Sequence, residues 1–427
     1  MDLELKSGDR HRYYEEQSIK DDQEEDEEEE EAAQPEPLQN FVIAISGCSS
    51  AGKTTLALLL TAVLRRALRG MAVADDRDGD EPPLQLPLRT AAVHQDAYFL
   101  ENPNPSSSPM VAIHPLWPED RLAARMAGPD DDDPPLLVED RDRVGACDVG
   151  LLAAHIDERD AGARRAVPNP RFLEALYEGR EDGEGSFAAL DAALSELPPG
   201  TLEVAVDVLR GALCRDGEAL ARARRYVRVD GRSSNNDGAP LVARRFTVVE
   251  GFTVLARDAE RDPIGWVAPG SEARGLRALR RVQDRLDVSL FLPVERGEAR
   301  RRRFSRARYR DVPGGARRPG EYWKCGAYFD QVVWPHYERY HRHILPHLAA
   351  AYADDDRRRQ QEQHGRPWCV ANAWERDPRV CGVHVRPAAV SSVGDTLLWA
   401  SSVVGAVLGE RLLLDSELES AALNMDR

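Results

Sequence analysis

The stretch FVIAISGCSSAGKTT, from Phe41 to Thr55, carries the clearest structural signal in the chain. Apolar and β-branched residues lead into Gly47, the spacing G-x-x-x-x-G-K-[ST] ends at Thr54, and an apolar, helix-forming run follows. This order of strand, tight turn and helix is typical of a loop that binds phosphate, because glycines let backbone amides approach an anion. Lysine is scarce in the chain, so the composition alone does not explain a lysine at position 53.

The residues of this loop have separate predicted roles. Lys53 brings a positive charge to the β- and γ-phosphates of ATP, and Thr54 offers a hydroxyl to Mg²⁺. ATP and Mg²⁺ are therefore the expected cofactors. The predicted ATP-binding residues are Gly47, Ser49, Ser50, Ala51, Gly52, Lys53, Thr54 and Thr55.

The formal net charge of −17 argues against a nucleic-acid partner, but most of that charge lies in the first 40 residues. They include sixteen acidic and four basic side chains, a net charge of −12, which leaves −5 for the other 387 residues. The acidic run at 21–31 repels itself and has no apolar side chain to bury, so we predict a disordered acidic tail at 1–38. Such a tail acts as a solvating extension, or it docks basic partners.

The cysteines indicate the compartment. The six cysteines are scattered and form no C-x-x-C pair, and the sequence has no secretory signal, so we expect a reducing compartment, the cytosol or the nucleus. Cys381 and His384 form a single C-x-x-H, which without a second pair does not predict a zinc site. No apolar stretch reaches the length that spans a bilayer, so no membrane partner is expected.

Strand-like and helix-like segments alternate along the chain, which predicts an α/β fold with a parallel sheet and helices on both faces. We place one domain at residues 39–415, followed by a C-terminal tail at 416–427. The predicted strands are 41–46, 90–95, 245–250, 288–293 and 383–388. Helices are expected after the phosphate-binding loop and at 271–286, 298–308, 329–352 and 396–412. Long insertions are predicted near 69–90, 101–137 and 151–243, the first two as loops and much of the third as helix.

Two predicted strands end on an acid, and ligands of open parallel sheets lie beyond these carboxyl ends. Asp96 follows one strand and Glu250 ends another. Either carboxylate can accept the proton of a substrate hydroxyl or hold Mg²⁺. A third acidic cluster ends at Asp142. Paired carboxylates suit the vicinal hydroxyls of a ribose, although the pattern alone is more typical of a solvated acidic loop.

The arginine run RRRRFSRARYR at 300–310 follows a predicted strand. Arg303 and Arg306 are three residues apart and share a face at helical spacing. Guanidinium groups suit a transferring phosphate because they are permanently charged and bidentate. The alternatives are a solvated basic helix face and a nuclear-localisation patch.

Together these segments resemble the fungal type of nicotinamide riboside kinase, in the uridine-kinase-like branch of phosphate-loop kinases. The motifs of that family are matched in order at 47–55 (G-x-[ST]-S-[SA]-G-K-T-T), 95–99 (Q-D-D-F-Y), 138–148 (V-Q-D-W-D-C-P-E-A-[IL]-D), 248–252 ([IV]-[IV]-E-G-F), 302–309 (R-R-x-S-R-x-x-Y) and 328–337 (Y-F-D-x-x-V-W-P-x-Y). They cover well under half of the chain. The chain departs from the family pattern at Ala97, Arg141, Val144 and Gly145, and Arg141 brings a cation near a pocket for a cationic base.

The resemblance implies a P-loop NTPase-type fold and an activity. The reaction would be ATP-dependent phosphorylation of the 5′-hydroxyl of nicotinamide riboside, which yields the mononucleotide for NAD salvage. Asp96 would be the base, acting with Lys53 and Glu250, while Thr54 and Glu250 would hold Mg²⁺. The alternatives are a kinase of another nucleoside, such as uridine, and a non-catalytic ATP-binding scaffold.

The resemblance also implies contacts to the two substrates. Asp142 would bind the ribose hydroxyls, and Arg303 would bind the ribose or orient the riboside. Arg306 would contact an ATP phosphate. Tyr309 would pack on the nicotinamide ring, since a cationic pyridinium against an aromatic face is a favourable cation–π pair.

Overall fold

The computed structural model describes residues 40–72, 89–100, 110–113, 136–157, 167, 188–213, 245–257, 270–306, 322–353 and 379–425. The predicted acidic tail at 1–38 lies outside these residues, as do large parts of the three predicted insertions. Within the described residues, no helix is both long enough and apolar enough to cross a bilayer.

The described part of the chain is built on a mixed, mostly parallel sheet. The strands are β1 (Asn40–Gly47), β2 (Arg89–His94), β3 (Met110–Ile113), β4 (Leu136–Glu139), β5 (Arg245–Gly251), β6 (Val288–Leu292), β7 (Arg379–Val380) and β8 (Val383–Val385). Six of them form one sheet in the order β2-β5-β1-β6-β8-β7, while β3 and β4 pair as a separate antiparallel ribbon. In the large sheet β7 pairs antiparallel with β8, and the other neighbours are parallel.

The helices connect and cover these strands. They are α1 (Lys53–Ala72), α2 (Val149–Asp157), α3 (Ala188–Ser195), α4 (Thr201–Leu213), α5 (Gly270–Asp284), α6 (Arg296–Ser305), α7 (Trp334–Tyr340) and α8 (Val393–Met425). A turn of α-helix at Gly326–Tyr328 and a π-helical turn at Phe329–Val333 lead directly into α7. We call this continuous segment, residues 326–340, the helical run. Residues 348–353 are also helical.

Strand β1 shows why helices lie on both faces of the sheet. It is buried along nearly its whole length, as expected for a parallel strand covered on two sides. Val42 and Ala44 share a core with α5 and the helical run. Phe41, Ile43 and Ile45 alternate with them and are buried outside that core, on the side where α1 contacts β1, β2 and β5 and packs with α4 and α8.

The α/β prediction is confirmed, and each of the five predicted strands is present with ends that differ by at most three residues. The ribbon of β3 and β4 was not predicted, because 101–137 was interpreted as loop. The single helix predicted at 329–352 is also wrong. Its regular α-helix ends at Tyr340, and Pro346, which has no N–H to donate, lies in a separate 3₁₀ turn at Leu345–His347.

The last helix is longer than predicted at both ends. It begins at Val393 because Ser392 caps it: the Ser392 hydroxyl oxygen accepts from the Asp395 N–H at 3.0 Å. It continues to Met425, through the boundary at 415 where we expected a C-terminal tail.

Candidate functional site

The predicted functional side chains lie where the parallel strands β1, β2 and β5 end. The register pairs Ile45 with Glu250 across β1 and β5, and Glu250 with His94 across β5 and β2. Asp96 follows two residues after β2 in a 3₁₀ turn. The sheet thus brings three segments that are far apart in sequence to one edge, as expected for a ligand site of an open parallel sheet.

The glycine-rich loop, residues 47–52, joins β1 to α1 in a conformation that few residues adopt. Gly47 has φ +152° and Gly52 has φ +96°, and Ser50 lies in the left-handed region at φ +68°. A Cβ on Gly47 would stand 2.5 Å from the carbonyl oxygen of Leu292 at the end of β6, so only glycine fits there. Strained backbone of this kind clusters at ligand sites.

Several polar groups lie close together where this loop ends and α1 begins. The first backbone amides of α1 have no partner within the helix, and they give its N-terminus a positive potential. The hydroxyl of Ser50 is buried and has no hydrogen-bond partner among the described residues. Lys53 is buried, and its Nζ donates to the Cys48 carbonyl at 3.0 Å, which holds the positive charge over the loop. An anion is the ligand that suits these groups.

Glu250 is the centre of a buried hydrogen-bonded cluster. Its Oε1 accepts from the Thr54 hydroxyl at 3.0 Å and from the Nδ1–H of His94 at 2.9 Å. Burial disfavours the charged form, but the hydrogen bonds from His94 and Thr54, the charge on His94 and the charge on Lys53 outweigh it. The pKa of Glu250 therefore lies below its ordinary value, and the group is a carboxylate at neutral pH.

Asp96 has the opposite environment. Burial and, next, the neighbouring Glu250 carboxylate raise the pKa of this carboxyl from 3.8 to about 6, although the charge on Lys53 acts in the other direction. Asp96 is nevertheless partly exposed. Two carboxyls at one sheet edge with pKa values pushed apart suit different tasks: Glu250 stays charged, and Asp96 can take up a proton near neutral pH.

Asp142 lies in the loop that follows β4. Burial raises the pKa of its carboxyl, while the charge on Arg303 and a hydrogen bond from Tyr328 act in the other direction. The Tyr328 hydroxyl also accepts from the backbone N–H of Arg141 at 3.0 Å. Asp142 also acts electrostatically on Asp96 and on Cys48, so it belongs to the same region as the glycine-rich loop.

Arg303 contacts the glycine-rich loop directly. Its Nη1 donates to the Ser49 hydroxyl and its Nη2 to the Trp323 carbonyl, both at 2.7 Å, and its guanidinium lies 5.9 Å from the centre of the Phe329 ring. Arg306 is exposed, just beyond the end of α6. Tyr309, predicted to face the nicotinamide ring, lies outside the described residues.

The site has oxygen ligands for Mg²⁺ but no complete protein cage. Within the described ranges, no group of three or more His, Cys, Asp or Glu side chains could hold a metal ion by itself. Mg²⁺ that arrives with a nucleotide needs only one or two protein oxygens, because phosphate and water supply the others. The Thr54 hydroxyl and the Glu250 carboxylate, 3.0 Å apart, fit this requirement.

His94 and Tyr328 were missed as site residues. His94 stands two residues before Asp96, and Tyr328 opens the last family motif, but nothing local to either residue indicates its partner. His94 meets Glu250, 156 positions away, only because β2 and β5 are neighbours. The strand order would have been needed to find this contact.

A comparison of the chain with protein-family models and with curated proteins finds no match to either.

Proposed function

We propose that the chain is an ATP- and Mg²⁺-dependent kinase with a P-loop NTPase-type fold that phosphorylates the 5′-hydroxyl of nicotinamide riboside. The observation that carries the proposal is the convergence of Lys53, Thr54, Glu250 and Asp96 at one edge of the sheet. The parallel order β2-β5-β1-β6, with β1 leading into the glycine-rich loop, supports the fold.

Each of these residues has a task in phosphoryl transfer, which depends mainly on positioning and charge. The amides of the glycine-rich loop and Lys53 bind the phosphates of ATP. Thr54 and Glu250 would hold Mg²⁺, which supplies positive charge to the phosphate oxygens. Asp96 accepts the proton of the attacking hydroxyl, a task that its raised pKa of about 6 suits.

The acceptor is assigned on the residues that match the family. Asp142 provides a carboxylate for the two vicinal hydroxyls of a ribose, and charge-assisted bonds of this kind are strong. Arg141, where the family has tryptophan, is exposed.

The described cysteines Cys48, Cys147, Cys325 and Cys381 are free thiols, which supports the proposed cytosolic or nuclear location.

The test is a turnover assay on the purified chain with Mg·ATP and a panel of acceptors. Nicotinamide riboside, nicotinic acid riboside and uridine are compared with a reaction without acceptor, and mass spectrometry identifies the product. We expect nicotinamide riboside to give its 5′-mononucleotide with a higher kcat/KM than uridine. Preference for uridine would instead indicate a kinase of another nucleoside, and ATP binding without any turnover would indicate a scaffold.

A further inference from the structure

Three hydrogen bonds join the loop that carries Asp142, residues 140–144, to the helical run. The three contacts are His336 Nε2–H donating to Asp140 Oδ2 at 2.7 Å, Arg141 N–H donating to the Tyr328 hydroxyl at 3.0 Å, and Val144 N–H donating to the Tyr340 hydroxyl at 3.3 Å. They are spread from the first residue of the 140–144 loop to its last. The His336 ring also stacks on the Tyr340 ring, with centroids 5.4 Å apart, so two of the three side chains support each other.

Tyr328 has the central contact. Its hydroxyl accepts from the Arg141 N–H and donates its own proton to the Asp142 carboxylate. Burial, with the Asp142 and Asp140 carboxylates nearby, holds the pKa of Tyr328 well above its ordinary value, so the hydroxyl keeps the proton that it donates. The Tyr328 side chain is fully buried, which leaves its hydroxyl little freedom to move.

This arrangement leaves Asp142 able to bind a ligand. A carboxylate has about four lone-pair directions, so one bond from Tyr328 leaves room for two hydroxyls. Arg303 influences Asp142 through its charge, while its Nη1 and Nη2 groups donate to Ser49 and Trp323. The hydrogen bond from Tyr328 and the attachment of the 140–144 loop therefore both help to set the direction of the Asp142 carboxylate, beside the charge of Arg303.

We propose that Tyr328 is a positioning residue for the acceptor: it orients Asp142 toward a ligand with vicinal hydroxyls, and His336 fixes the start of the same loop. The inference rests on the proposed function and adds a residue that determines acceptor affinity. Tyr337, on the same helical run, is equally buried but packs in the core, where it stacks on Phe291 at 6.1 Å with an interplanar angle of 2°.

The test compares Tyr328→Phe with Tyr337→Phe. Both variants remove one hydroxyl from a buried ring of the same helical run. Calorimetry with nicotinamide riboside and, separately, with Mg·ATP gives the two dissociation constants for each variant. We expect Tyr328→Phe to raise the Kd for the riboside roughly 10-fold to 100-fold, since an oriented bond to a charged group is lost. The Kd for Mg·ATP and the kcat at saturating riboside should stay close to wild type, and Tyr337→Phe should change neither Kd.

A second pair of variants applies if Tyr328→Phe does not fold. His336→Gln keeps an N–H at the position of Nε2, whereas His336→Asn is too short to reach Asp140. His336 is less deeply buried than Tyr328, with 14% of its side chain exposed, so we expect both variants to fold. We expect Asn to weaken riboside binding and Gln to restore it.

Each result decides the proposal. A selective loss of riboside affinity in Tyr328→Phe, or in His336→Asn with rescue by Gln, supports it. Equal losses for riboside and Mg·ATP, or an unchanged riboside Kd, overturn the positioning role while the proposed function stands. If wild-type protein binds Mg·ATP but neither nicotinamide riboside nor uridine, the proposed acceptor class fails and this inference fails with it.

Discussion

Replacing Asp96 with asparagine should make the protein more stable and much less active. The pKa of the Asp96 carboxyl is raised from 3.8 to about 6, mainly by burial and by the Glu250 carboxylate. At neutral pH the Asp96 carboxylate is therefore charged in a buried environment that favours the neutral carboxyl. A displacement of about two pKa units corresponds to about 3 kcal/mol, which is an upper limit because Asp96 is partly exposed.

The sign of this effect fixes its dependence on pH. Since the pKa of Asp96 is higher in the folded protein than in the unfolded chain, the folded state binds the proton more tightly. The unfavourable contribution therefore grows as the pH rises from about 4 to about 6 and is complete above that range. Asparagine removes it. The free energy of unfolding should increase by up to about 3 kcal/mol at about pH 8 and by about half as much at about pH 5.

The same substitution should remove the proposed base. Asparagine keeps the size and one hydrogen bond but cannot accept the proton, so we expect kcat to fall by about 10²–10⁴-fold with little change in riboside affinity. Urea unfolding of the protein without nucleotide, at both pH values, measures stability, and steady-state kinetics measure activity. Asp207→Asn is the matched control, because its side chain is 77% exposed and such substitutions change stability by less than about 0.5 kcal/mol.

Two results would refute this reasoning. A stability gain in Asp96→Asn that is absent, or equal at the two pH values, would show that the carboxyl is not held in a place that disfavours its charge. A variant that retains kcat and only raises KM would show that Asp96 positions the riboside without taking its proton.

Four further predictions concern the site and the tail. Lys53→Ala should lower kcat by about 10²–10³-fold in a protein that still folds, and activity near wild type would contradict phosphate binding by the glycine-rich loop. His94→Asn keeps an N–H at the δ position for Glu250, whereas His94→Gln does not. Because Glu250 would hold Mg²⁺, only His94→Gln should raise the Mg²⁺ concentration needed for half-maximal rate. Equal Mg²⁺ titrations would argue against a role of His94 in positioning Glu250. Asp142→Ala should weaken riboside binding by about 1.5–3 kcal/mol per lost hydrogen bond and leave ATP binding unchanged, which calorimetry measures; two unchanged affinities would exclude Asp142 from the pocket. Deleting residues 1–38 should leave kcat and KM nearly unchanged, and a large loss of activity would show that the tail docks on the domain.

The main strands were predictable because the sheet is covered on both faces. A strand such as β1 is then almost continuously apolar, and such a run is visible in the sequence without knowledge of its neighbours. The ribbon of β3 and β4 has no comparable signal. Each of its strands has four residues, and they lie in a segment rich in Pro, Asp and Ser, where turn chemistry dominates any local pattern.

The roles of the glycine-rich loop could be predicted for the same local reason. Gly47 is the last residue of the strand that positions it, and Lys53 and Thr54 begin the helix that follows. The partners of these groups could not be predicted in this way. The Thr54 hydroxyl meets Glu250 across 196 residues, and His94 meets the same carboxylate across 156. Both contacts follow from the order β2-β5-β1, which no local pattern contains.

The arginine pair shows where a local pattern stops being valid. The three-residue spacing predicts that Arg303 and Arg306 share a face, but that argument holds only within a helix, and α6 ends at Ser305. Arg306 has extended backbone, with ψ 137°, and is exposed, whereas Arg303 is buried against Ser49 of the glycine-rich loop. The two side chains therefore do not share a helix face. Because Arg303 donates to Ser49 and also acts electrostatically on Asp142, it connects the loop proposed for ATP to the carboxylate proposed for the riboside.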